Sequence, residues 1–75
     1  MKTEVELLTL PGNYYTIRVT KYPKVLFIPI EPEVRFVDNE GHEWGTLSAA
    51  VGYCSFTNFK EAEHVYEMTK AYYRL

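Results

Sequence analysis

Alternation of apolar and polar residues dominates the first half of this chain, and helical spacing appears only after Asn58. A two-residue period puts alternate side chains on opposite faces of a strand, whereas a 3.6-residue period gathers them into one stripe of a helix. The pattern sets an order, sheet first and helix last. It predicts an α+β fold: a small antiparallel sheet of four to five strands packed against one C-terminal helix. At 75 residues there is interior for a single core, so residues 1–75 are expected to form one domain.

The first strand is predicted over residues 3–10 and ends at Pro11-Gly12-Asn13, whose fixed and permissive φ angles make a turn. Its hairpin partner spans 14–22. Tyr15, Ile17 and Val19 are expected to face the core, and Thr16, Arg18 and Thr20 the opposite side. After Pro23, the run Val25-Leu26-Phe27-Ile28 reads as a short strand buried on both faces or lying under the helix. Pro29 and Pro32 cannot donate to a ladder, so the chain between them is an edge, bulge or crossover. A second hairpin follows, with strands at 34–37 and 42–47 around a turn at 38–41, and Trp44 and Thr46 on one face. Residues 48–56 fit either a strand extension or a helical turn.

Asn58 has the chemistry of a helix cap, and Glu61 three residues on completes the capping-box spacing for a helix running to about Arg74. Steps of about 100° place Phe59, Ala62, Val65, Tyr66, Thr69, Tyr72 and Tyr73 on the side expected to meet the sheet. Lys60, Glu63, His64, Glu67, Lys70 and Arg74 fall on the polar side.

Several kinds of chemistry find no support. Cys54 is the sole cysteine, which rules out an internal disulfide and a thiolate-rich zinc site, and it is expected to be buried and inert. The remaining metal candidates, His42, Glu43 and His64, lack ligand spacing, so no metal and no cofactor are expected. Gly12, Gly41, Gly45 and Gly52 are too scattered to cradle a phosphate. The acidic residues Glu31, Glu33, Asp38, Glu40 and Glu43 read as solvated turns rather than paired catalytic acids. Residues 1–6 alternate in charge and no apolar run reaches the roughly 20 residues of a membrane span, so a cytoplasmic protein without membrane contact is expected.

The compositional outlier is the aromatic content: seven tyrosines, four phenylalanines and one tryptophan. A core this small cannot easily absorb them all, and surplus tyrosine and tryptophan characterise recognition surfaces. The chain is therefore expected to be a non-enzymatic protein-binding module. A small inhibitor or adaptor fits, of the kind that viruses and mobile elements encode against host enzymes. Tyr14, Tyr22 and Trp44, near turns or proline breaks, are the candidate anchors, with Arg18 and Glu43 as rim charges. For Trp44 the competing reading is a core residue.

Two alternatives come from the same residues. Arg18, Lys21, Lys24 and Arg35 interleave with Tyr14, Tyr15, Tyr22 and Phe27, a composition resembling a single-stranded nucleic-acid-binding face over 14–35. Against it stand the net charge of −2 and the alternation that sends Tyr15 and Arg18 to opposite faces. Edge strands and surplus rings could instead meet in a homodimer.

Overall fold

In a computed structural model that describes residues 2–23, 31–45, 52 and 54–75, the chain forms strands β1 (Lys2–Leu10), β2 (Tyr14–Tyr22), β3 (Glu33–Val37) and β4 (Glu43–Trp44), followed by helix α1 (Phe59–Tyr72). The described strands make one antiparallel sheet in the order β1-β2-β3-β4, packed against α1, which is the α+β architecture that the periodicity predicts. The predicted strand at 25–28, Thr46 and Leu47 of the fourth strand, and most of 48–56 lie outside the described residues.

The first hairpin is built from its turn. Pro11, Gly12 and Asn13 join Leu10 to Tyr14, with Gly12 at φ +85° and Asn13 at +65°, the left-handed region that glycine and asparagine tolerate best. From that turn the pairing runs unbroken to Lys2 opposite Tyr22, so the two-residue alternation is never shifted by a bulge. Val5, Leu7, Ile17, Val19 and Val37 consequently share one face, and there they meet Phe56, Ala62 and Val65 in the main core.

Asn58 caps α1 through its side-chain oxygen, which accepts from the Lys60 N–H at 2.9 Å and the Glu61 N–H at 3.4 Å. The helix lies along β2. Its first residue, Phe59, sets its ring edge against Tyr15 at 5.4 Å, and Tyr73, just past its end, stands 5.2 Å from the Lys21 ammonium at the far end of the strand. Ala62, Val65 and Thr69 are buried beneath it.

Three expectations are corrected. Thr16 and Thr20, placed on the solvent side by alternation, are buried. β2 is an inner strand, and the sheet face away from α1 carries a second small cluster, Phe36 with Cys54, so both faces of its middle are closed. Phe59 and Tyr72, assigned to the sheet-facing side of the helix, are exposed, because they stand at the two margins of the apolar arc and only its centre reaches the core. The helix also stops at Tyr72 rather than Arg74. Arg74 turns to φ +60° while the Leu75 N–H bonds back to the Lys70 carbonyl, a left-handed C-terminal closure.

Candidate functional site

The strand register sends Tyr14, Arg18 and Tyr22 to the face of the sheet away from α1, and Trp44, paired with Phe36, joins them there. Sharing a face does not bring them together. Tyr14 and Tyr22 stand at opposite ends of β2, roughly 26 Å apart at the rise of a strand, with buried Thr16 and Thr20 between them. Each is also tied locally. Tyr22 donates its hydroxyl to Glu4 at 3.3 Å and lies under the Lys2 ammonium, while Arg18 holds Glu6 through one guanidinium nitrogen at 2.9 and 3.0 Å.

Trp44 is half anchor, half surface. Its indole N–H donates to Asp38 Oδ2 at 2.9 Å while 38% of the residue remains exposed. Asp38 organises the whole β3–β4 turn: its Oδ1 accepts from the Glu40 and His42 amides at 2.9 and 2.8 Å, and Gly41 closes the loop at φ +85°. Burial alone would raise the Asp38 carboxyl, but the bonds from Trp44, His42 and Glu40 outweigh it and hold the carboxyl below its ordinary value.

Glu43 sits elsewhere. Paired with Val37, it lies on the helix side, where it accepts from the Tyr73 hydroxyl and forms an ion pair with Lys21 at 3.3 Å. The basic cluster over 14–35 is likewise spoken for among its described members: Arg18 on Glu6, Lys21 on Glu43, and Arg35 on Glu33 at 2.8 Å. Of the metal candidates, His42, Glu43 and His64 gather on the helix side, while Cys54 packs with Phe36 on the other face. Among the described residues no three histidine, cysteine or acidic side chains converge to hold a metal ion. Burial pushes the Cys54 thiol up to about 11, and the nearby Asp38 carboxylate adds to the effect.

Among the described residues a groove of about 800 Å³ lies beside α1. Its origin is a matter of widths. Four strands spaced about 4.8 Å apart make a sheet some 14 Å across, and one helix is about 10 Å wide. α1 packs chiefly against β1 and β2, which among the described residues leaves space on the β3–β4 side of that face. Val37, Val65 and Thr69 line the groove as apolar or small groups, and Asn39, Glu40, His42, Glu43 and His64 supply polar ones. Met68 and Tyr72, one helical turn apart, stand on the helix flank at 57% and 78% exposure, with Leu75 also exposed just beyond the helix.

The sequence pattern hides this flank because Tyr72 falls within the stripe expected to meet the sheet and Met68 belongs to neither the apolar nor the polar set. The i, i+4 spacing of Met68 and Tyr72 was the available signal. No family model, no curated protein and no solved structure matches the chain. No described helix is long and apolar enough to cross a membrane.

Proposed function

We propose that the chain is a non-enzymatic protein-binding module, a small inhibitor or adaptor that blocks or modulates a partner protein. The observation that carries this reading is the pairing of a groove with exposed bulky apolar side chains, Met68 and Tyr72, on its wall. Large apolar groups left in water beside a concavity gain most from a second protein surface that removes both from solvent. Tyr14, Tyr22 and Trp44 form a separate, dispersed set of rings, better suited to the rim of a contact than to its centre. A cytoplasmic place of action belongs to the same proposal and draws on the lone, buried thiol.

The test uses the full chain as bait beside a Met68→Lys/Tyr72→Lys variant in lysate of the native host. Proteins held by the first and lost by the second are then purified, and their binding is measured by calorimetry. A purified protein that binds the native chain and not the variant supports the module. If repeated captures return only background, the reading fails.

A further inference from the structure

The groove also limits what can fill it. Among the described residues the space lies between α1 and the β3–β4 turn, with Val37 and Glu43 at the turn's two ends, and it presents Val65, Met68 and Tyr72 as an i, i+3, i+7 ridge against which a second helix could pack. The sheet edge beside the groove, β4, is two residues long among the described residues and offers an extended peptide little backbone to pair with, whereas a helix satisfies its own and brings only side chains.

Charge narrows the occupant further. Among the described residues no lysine or arginine lines the groove, while Glu40 and Glu43 do. Glu43 is balanced by Lys21, but the Glu40 side chain is 72% exposed, with His42 3.6 Å away as its cationic partner only when protonated. Neither Lys60 nor Lys70, the lysines of α1, is among the groove's lining residues. We infer that the groove seats an amphipathic α-helix of a partner protein, apolar toward Val65, Met68 and Tyr72 and carrying lysine or arginine toward Glu40. This rests on the protein-binding reading and names the partner's contacting element.

The probe is a synthetic leucine–lysine amphipathic helix, with its leucine–glutamate counterpart as control, titrated into the isotope-labelled full chain and followed by amide shifts. The expected result is saturable binding of the lysine peptide that moves residues 37–43 and 64–72 and little else, and weak or no binding of the glutamate peptide. Met68→Lys should weaken it by about tenfold, and Glu40→Lys by about fivefold, as befits a rim charge. Unchanged thermal midpoints would show that both variants stay folded.

Equal affinity for the two peptides, no binding of either, or shifts centred away from the groove would overturn the inference. So would the same shifts appearing when the protein alone is concentrated, which would identify a second copy as the occupant. A native partner held through Tyr14 or Tyr22 with the groove unmoved would also overturn it, while leaving the protein-binding reading intact.

Discussion

The Tyr73 hydroxyl donates to the Glu43 carboxylate, joining the end of α1 to β4 across 30 residues of sequence. Lys21 completes the cluster from β2, close to Glu43 and over the Tyr73 ring. Three elements are thus fastened at one point on the wall of the groove. Tyr73→Phe keeps the ring and removes the donor, and should cost about 1 to 2 kcal/mol in denaturant unfolding, the range for a bond to a charged acceptor that is partly solvent-screened. An unchanged midpoint would mean that packing, not the bond, holds the helix end.

The same cluster sets a response to alkali. The bond with Tyr73, aided by Glu43, raises the Lys21 ammonium above its ordinary 10.5 against the opposing pull of burial. Burial and the bond to Glu43 raise the Tyr73 hydroxyl above 10.0. A group whose folded value is raised contributes stability that is complete below its unfolded value and lost as pH climbs through the folded one. Unfolding free energy should therefore hold steady from neutral pH to about 9 and fall beyond 10. Tyr73→Phe should make that fall shallower, and a native protein whose stability is flat to pH 11.5 would contradict the assignment.

Asp38 should be the least replaceable residue of the second hairpin. Asp38→Ala removes the carboxylate that accepts from the Trp44 indole and from the Glu40 and His42 amides, at a cost of about 2 to 4 kcal/mol. Trp44 is the sole tryptophan, so its emission should shift to longer wavelength as the ring loses its tether. Because the Asp38 carboxyl is held below its ordinary 3.8, its contribution is present above that pH and disappears as pH falls through the lower folded value. Native-like emission and stability in Asp38→Ala would remove it from this role.

Cys54 is fully buried and its thiol is pushed up to about 11, so it should resist a disulfide reagent at neutral pH until the protein opens. Modification should then follow the unfolding equilibrium measured independently by denaturant. Rapid stoichiometric labelling of the native chain would show that the Phe36–Cys54 cluster is open to solvent.

Thr16 offers a stabilising change. Its hydroxyl is buried and makes no hydrogen bond among the described residues, a state that penalises the fold without return. Thr16→Val keeps the β-branched shape, suits a strand and removes the unpartnered group, so it should raise stability by about 1 kcal/mol. A lower melting temperature would show that the oxygen has a partner in solution, such as an ordered water.

Much of the fold could be read locally. β2 occupies the residues that alternation assigned to it, the Pro11-Gly12-Asn13 turn adopts the φ angles those residues favour, and Asn58 caps the helix it was expected to cap. The capping box forms by half. Asn58 accepts from the helix amides, and among the described residues no bond returns from the Glu61 side chain. The candidate site was less readable. Alternation puts Arg18 on the face opposite Ile17 and Val19, where the register has it, but it does not show that Glu43 turns inward to Tyr73 or that Asp38 holds Trp44 in place. Those contacts link residues from separate turns and strands, and no spacing rule reaches across them.

What this sequence determines by itself is the order of its elements, the register of its first hairpin and the stripe on its helix, because each follows from torsional preference and periodicity within a few neighbouring residues. Where the helix lies on the sheet is a tertiary matter. A helix is about as wide as two strands, and long-range packing within the chain sets α1 on β1 and β2. That placement buries Ala62, Val65 and Thr69, leaves Met68 and Tyr72 in water, and opens the groove.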